Sequence, residues 1–402
     1  MHPSFFSYNR QQLTHVIQGG IAIVGAYASL QRGNDASFFF EQESNFWYLT
    51  GIDAPDWWVI IDGQRSKAFL VAPEVSDAHH IFDGSLSFDD AKRISGVDGV
   101  LSQDEAMSML RELAKKHSIV YGLGDLPYAE HFDFVINPAP KKIWNTLERI
   151  FKEVQDCRPE LATLRAIKQP EEIAMMKKAI KLTIDGFNHA KKILPTLRYE
   201  YEVEAEFSHY FRSRGATGHA YDPIVAGDKN ACTLHYGQNN DPLKKSSVLL
   251  LDIGARVGGY AADISRTYAL GTPTKRTLAV HGAVEQAHRH IIALLKPGLL
   301  VSEYHAQVDL IMKQALIDLG LLSDLSDDAT YRRYFPHAIS HGLGIDVHDS
   351  LGKPTVFLPG MVLTVEPGIY IPEECRGFRI EDDILITEQG HLNLSKALST
   401  AL

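Results

Sequence analysis

The sequence predicts a mixed α/β (α+β) chain in two parts, a smaller domain over residues 1–160 and a larger one over 161–402. Three observations predict it. Short β-branched runs alternate with stretches of helical periodicity in the first third. The texture then changes at a strong helix start, Gln169-Pro170-Glu171-Glu172. Beyond that point carboxylates sit inside apolar, strand-like text, where charged side chains are rarely buried unless paired.

In chain order, Ile21–Val24, Trp58–Ile61 and Ala68–Val71 read as buried strands, and Asp104–Lys116 and Lys141–Phe151 as helices. The domain boundary falls near Arg158–Leu164. Pro170 suits the first turn of a helix, where its missing N–H costs nothing, and Glu171 and Glu172 lie at the positive end of the dipole. Ile173, Met176, Ile180, Ile184 and Phe187 follow at helical spacing and form one apolar face. Ile193-Leu194-Pro195 and Leu295-Lys296-Pro297-Gly298 each precede a helical stretch, the first ending near Gly215 and the second near Gly320. Each stretch leads into a histidine-bearing segment. A diverged internal duplication and two ordinary helical hairpins explain this equally well.

Composition narrows the function. The formal net charge of −10 gives no basic footprint for nucleic acid. No run of about 18 apolar residues is present, so no membrane helix is expected; Gly19–Leu30 is apolar but short. The opening MHPSFFSYNRQQ is too polar for a signal peptide. Cys157, Cys232 and Cys375 are odd in number and far apart, which argues against a disulfide framework or a CxxC zinc knuckle. A reducing, cytoplasmic setting fits best.

The chemistry begins at Val248-Leu-Leu-Leu-Asp252 and Tyr260-Ala-Ala-Asp263, two apolar runs around Gly258-Gly259 that read as a hairpin. A turn centred near Val257–Gly258 would set Asp252 opposite Asp263, with Cβ atoms ~5 Å apart. Taken singly, each acid reads more readily as a turn or cap residue. Facing like charges destabilise a sheet unless something positive lies between them. Met361-Val-Leu-Thr-Val-Glu366 places a third acid at the end of an apolar run. Gly377-Phe-Arg379-Ile-Glu381 places a fourth in strand-like text, with Arg379 on the same face by alternation; a solvated acidic turn is the competing reading. His337, His341 and His348 lie within twelve positions in a glycine-interrupted segment, and His235 is a further candidate. If four carboxylates and an imidazole converge, either several protonate or cations neutralise them. Oxygen-rich ligation with one histidine suits Mn²⁺, Co²⁺ or Zn²⁺. Two such ions can polarise a carbonyl and activate water.

These residues resemble the proline-specific metallopeptidases of pita-bread fold. HAISHGLGIDVHD is similar to the family signature, and TVEPGIY and GFRIEDDI resemble its two glutamate motifs. The segment NDASFFFEQESNFWYLTG resembles the N-terminal domain of the aminopeptidase P branch, so the likeness reaches most of the chain. The resemblance implies a C-terminal pita-bread catalytic domain and two divalent ions per chain, Mn²⁺ first, with Zn²⁺ or Co²⁺ as alternatives. It implies Asp252 as ligand of one ion, Asp263 and Glu381 as bridges, and His341 and Glu366 as ligands of the other. Glu366 would accept the proton of the attacking water. His235 and His348 would hold substrate and tetrahedral intermediate, and Arg379 is a substrate or outer-sphere contact.

The implied reaction is removal of the first residue from peptides with proline second, by an enzyme expected to be homo-oligomeric. A Xaa-Pro dipeptidase (prolidase) shares all five ligands and is the nearest alternative. Methionine aminopeptidase would not need the N-terminal part, and a creatinase-like hydrolase lacks the metal set. A non-catalytic peptide-binding module would show replaced ligands, and none is replaced. The short Pro372–Gly377 loop and the brief tail after Glu388 depart from the family pattern without touching a ligand.

Overall fold

The computed structural model describes residues 1–125, 135–245 and 248–402. It divides into two units, Met1–Leu164 and Arg165–Leu402.

The first unit is built on one six-stranded sheet in the order Gly99–Leu101, Lys67–Val71, Trp58–Asp62, Ile21–Gly25, Ile119–Gly122, Glu153–Asp156. Three strands lie where the apolar runs placed them: β1 Ile21–Gly25, β2 Trp58–Asp62 and β3 Lys67–Val71. The other three, β4 Gly99–Leu101, β5 Ile119–Gly122 and β6 Glu153–Asp156, are only three or four residues long. β4 and β6 are half-buried or exposed throughout, so they carry no apolar run to read. Ile21, Ile23, Ile60 and Val71 pack with Leu110 and Leu113 of the helix Gln103–Ala114 and with Ile143 and Leu147 of the helix Ala139–Glu148. Unforeseen was the opening helix Pro3–Val16, which buries Asn9 and Arg10. Arg10 donates to the carbonyls of Leu49, Ser95 and Gly96. It thereby satisfies carbonyls left without intrahelical partners at the ends of the helices Ser44–Thr50 and Phe88–Ser95.

The second unit opens with the helix Pro170–Ile193, whose Met176, Ile180, Ile184 and Phe187 are buried as the periodicity requires; Ile173 is half-buried. The helix Glu200–Arg212 follows, then β7 Gly218–His219 and β8 Ile224–Gly227. Next come β9 Val248–Asp252, β10 Ala255–Val257, β11 Tyr260–Ala261 and β12 Ser265–Ala269. The helices Lys275–Leu294 and Val301–Asp318 lead through a shorter helix to β13 Val362–Val365, β14 Gly368–Ile371, β15 Arg376–Arg379, β16 Asp382–Thr387 and β17 Gly390–Asn393. Two helices followed by a three-stranded antiparallel sheet therefore occur twice, first with β12-β9-β8 and then with β13-β16-β17. Val284 and Ile291 of one helix and Met312 and Leu316 of the next pack against Leu363, Val365, Ile380 and Ile384, which form the floor of this unit.

One expectation needs correction. Asp252 faces Ser265, not Asp263. The pairs Val257–Tyr260 and Arg256–Ala261 centre the turn on Gly258 and Gly259. Both have positive φ, 57° and 86°, which a two-residue type I′ turn demands and glycine supplies. Shifting the turn by one residue moves the partner by two, so Asp263 remains on the same face as a diagonal neighbour. The hairpin also needs Gly254, where a Cβ would lie 1.7 Å from the Ala262 carbonyl oxygen.

Candidate metal centre

The acids of the centre occupy strand ends. Asp252 closes β9, Asp263 precedes β12, Glu366 follows β13, and Glu381 precedes β16. Each apolar strand interior anchors the backbone, and the acid projects where the strand stops. His341 belongs to an irregular segment fixed by backbone bonds from Leu343 to Val362 (3.1 Å), from Thr364 to His341 (2.9 Å) and from Ala261 to Gly344 (2.9 Å). Ion pairs hold the far end of that segment. Arg165 Nη2 lies 2.7 Å from Asp346 and 2.9 Å from the buried Asp349, and Lys168 Nζ lies 3.5 Å from Asp349.

Asp263, His341 and Glu381 each present a ligand atom, all within 4.8 Å of one another. Asp252 joins through Tyr221, whose hydroxyl oxygen lies 2.5 Å from Asp252 Oδ1 and 2.6 Å from Asp263 Oδ1. Glu366 joins through His341, whose Nε2 is 3.5 Å from Glu366 Oε1 and 3.5 Å from Asp263 Oδ2. Asp252, Asp263 and Glu381 are only 9%, 5% and 2% exposed, which rules out the solvated-turn reading of Glu381. Arg379 and Glu381 meet at one atom: Arg379 Nε donates to Ser265 Oγ (2.8 Å), and that hydroxyl is 2.8 Å from Glu381 Oε2. Arg379 Nη2 also donates to Asp252 Oδ2 at 2.6 Å.

The electrostatics are unbalanced. Burial, reinforced by neighbouring carboxylates, raises the pKa of Asp263 and raises that of Glu381 well above the usual range. Burial raises Glu366 to about 7 against the opposing charges of His341 and Arg379. His341 Nδ1 is 2.9 Å from the Gly342 carbonyl, so it carries the proton and turns the Nε2 lone pair toward Asp263 and Glu366. Burial opposes charging this imidazole, yet the bond to Asp263 and the charge of Glu366 raise its pKa to about 9. A proton or a cation is therefore required at Nε2. A neutral imidazole with several carboxylate oxygens is a donor set for hard to borderline divalent ions, so the residues present fit a metal.

His348 packs its ring edge-on to His341, with centroids 4.3 Å apart, and is exposed. His235 follows the short helical turn Asp228–Cys232 and is exposed; a charge on it opposes protonation of both His337 and His348. Two contributors were given no role from sequence, although His337 stood among the three clustered histidines. Tyr221 had no motif around it. His337 closes a relay in which Arg379 Nη1 donates to the Tyr370 hydroxyl (2.7 Å), which lies 2.8 Å from His337 Nε2. His337 Nδ1 then faces the Ala338 carbonyl at 2.8 Å and Glu366 Oε2 at 3.5 Å. Burial lowers the His337 pKa to about 3, with Arg379 adding to the effect, so it is a neutral hydrogen-bonding group.

Residues 174–388 match metallopeptidase family M24, and residues 6–121 match the aminopeptidase P N-terminal domain. The chain is 32% identical to the Xaa-Pro aminopeptidase of Escherichia coli K12, over 98% of this chain and 94% of that one. It is 32% identical to human Xaa-Pro aminopeptidase 3, over 90% of this chain and 75% of the relative. Zinc-substituted E. coli aminopeptidase P in complex with product superposes with a TM-score of 0.86 at 31% identity, covering 100% of this chain and 96% of that one. The proline aminopeptidase P II of Yersinia pestis superposes with a TM-score of 0.85 at 32% identity, covering 100% and 98%. The second unit has the pita-bread fold of these neighbours. By its family match and its full-length likeness to these relatives, the chain belongs to metallopeptidase family M24, in the form that also carries an aminopeptidase P N-terminal domain.

Proposed function

We propose that the centre holds two divalent ions, with Asp252 a ligand of one, Asp263 and Glu381 shared by both, and His341 and Glu366 completing the other. Mn²⁺ is the preferred ion, ahead of Zn²⁺ or Co²⁺. The chain is a metallo-aminopeptidase that hydrolyses the N-terminal Xaa-Pro bond of peptides. The observation that carries the metal reading is the approach of Asp263, His341 and Glu381 donor atoms to within 4.8 Å in a buried setting. Residues 161–402 form the catalytic domain in this reading and 1–160 the N-terminal domain. Cys157, Cys232 and Cys375 are free thiols, which suits a reducing, cytoplasmic setting.

When bound, the ions would neutralise the carboxylates, lower the pKa of water and polarise the scissile carbonyl. The chain's own groups do the rest. Glu366 takes the proton of the attacking water and returns it to the proline nitrogen as the C–N bond breaks. His348 and His235 face the substrate and donate hydrogen bonds to the tetrahedral intermediate. Arg379 orients Asp252 and, through Tyr370, fixes the His337 tautomer beside Glu366. Proline is recognisable because its nitrogen has no hydrogen and its ring fixes φ.

Elemental analysis after chelator stripping and reconstitution tests the assignment. Two ions per chain are expected, and Asp263→Asn should weaken the binding of both, because a shared anionic ligand is removed. A metal count unchanged in that variant, or activity undiminished by chelation, contradicts it.

A further inference from the structure

Behind the strands that carry the acids lies a residue the mechanism does not use. Arg266 is 1% exposed, and all five of its N–H donors have acceptors. Nη1 donates to the backbone carbonyls of Ser265 (2.8 Å) and Glu381 (2.7 Å). Nη2 donates to Asp382 Oδ1 (2.7 Å) and to the Leu398 carbonyl (2.9 Å), and Nε to the Ser399 carbonyl (3.0 Å). The Ser265 carbonyl also accepts the backbone N–H of Glu381 at 3.0 Å. Ser265 and Thr267 point to the acid side of the strand, where they bond Glu381, Arg379 and the Arg379 backbone. Arg266, by alternation, works from the opposite face. It clamps the backbone of Glu381 to that of Ser265 and takes its second anchor from Leu398 and Ser399. Leu398 is buried, and Thr400 Oγ1 donates to Glu285 at 2.6 Å, so this segment is docked and not merely adjacent.

We propose that Arg266 is a positioning residue for Glu381, and that docking of residues 398–402 is thermodynamically coupled to metal binding. The proposal rests on the reading of Glu381 as a metal ligand. Glu381 has little freedom of its own. Its side chain is set by Ser265 Oγ on one side and its backbone by Arg266 on the other. Removing the tail leaves two buried Arg266 donors without acceptors, and the guanidinium must then move or draw water in to satisfy them. Either response shifts the Glu381 carbonyl. Coupling is reciprocal, so metal bound at Glu381 must in turn tighten the tail.

The test uses the full chain stripped of metal, titrated calorimetrically with Mn²⁺, beside a variant lacking residues 398–402, Arg266→Lys, Arg266→Met and Glu381→Ala. Outer-sphere partners are worth about 10- to 100-fold in metal affinity, and the deletion and Arg266→Met should each lose that much. Arg266→Lys, which keeps the charge and some of the donors, should fall between Arg266→Met and wild type. On the intact chain Mn²⁺ should slow hydrogen exchange at the amides of residues 398–402. A folded deletion variant that binds Mn²⁺ within twofold of wild type overturns the proposal. So does tail exchange that Mn²⁺ leaves unchanged, and this measurement decides the matter if the variants fail to fold. Glu381→Ala separates the two levels. If it leaves Mn²⁺ binding intact, the metal assignment itself fails; if it abolishes binding while the deletion does nothing, only the coupling fails.

Discussion

The Tyr221 hydroxyl oxygen lies 2.6 Å from Asp263 Oδ1, and the same oxygen is 2.5 Å from Asp252 Oδ1. A phenol has one proton to donate, so it orients both carboxylates while fully satisfying only one. The second needs a proton or a cation. Tyr221→Phe should therefore weaken metal binding by about 10- to 100-fold, as loss of an orienting partner does. Calorimetric titration with Mn²⁺ measures this; affinity equal to wild type would remove Tyr221 from the centre.

Glu366→Gln keeps the size of the side chain but takes away the proton acceptor. A positioned general base is worth roughly 10²–10⁴-fold in rate, and the substitution also removes an anionic ligand, so kcat should fall by at least that factor. A variant that holds two ions and turns over at a near-normal rate would assign the base to another group.

Asp349 is buried with Arg165 and Lys168 and pins the segment that bears His341 and His348. Breaking a buried ion pair from one side typically costs about 3–5 kcal/mol. Arg165 retains Asp346, so Asp349→Asn should destabilise the chain by about 3 kcal/mol, at the lower end of that range. Denaturant unfolding with metal removed is the check, and a loss under about 1 kcal/mol would show that Asp346 suffices, far below the cost expected here.

His219 gives a pH signature of its own. Its Nε2 lies 2.8 Å from Ser208 Oγ, its Nδ1 is buried without a hydrogen-bond partner, and burial lowers its pKa from 6.5 to about 4. The unfolded chain then binds the extra proton first. This contribution to stability is complete above pH 6.5 and is lost as pH falls toward about 4. His219→Asn should lose less stability than wild type between pH 7 and pH 5, read as the difference in Tm at each pH. Parallel curves for the two proteins would contradict the depressed pKa.

Much of the centre was legible because each of its four acids, Asp252, Asp263, Glu366 and Glu381, sits at a strand end. A carboxylate at the end of Val248–Asp252 or Met361–Glu366 stands out against its own strand. The apolar face of Pro170–Ile193 was legible for the same reason, since burial writes itself at helical spacing. The Asp252–Asp263 register was misplaced because the face was read correctly while the turn was not. Both glycines of Gly258-Gly259 belong to the turn, and only their positive φ shows it. Tyr221 was invisible for another reason. Its partners lie 31 and 42 residues away, and no local pattern records a contact made only by folding. Arg266 is similar: its bonds to Leu398 and Ser399 span 132 and 133 residues.

The bond hydrolysed precedes a penultimate proline, with the peptide continuing beyond it. An aminopeptidase must leave the far side of the proline ring open, whereas a dipeptidase must close it and capture the free proline carboxylate. The most direct measurement is kcat/KM of the Mn²⁺-reconstituted enzyme on a Xaa-Pro-Yaa tripeptide and on the matching Xaa-Pro dipeptide. Cleavage of the tripeptide at the Xaa-Pro bond is expected, with the dipeptide the poorer substrate and both activities lost on chelation. A clear preference for the dipeptide, with the tripeptide nearly inert, would contradict it.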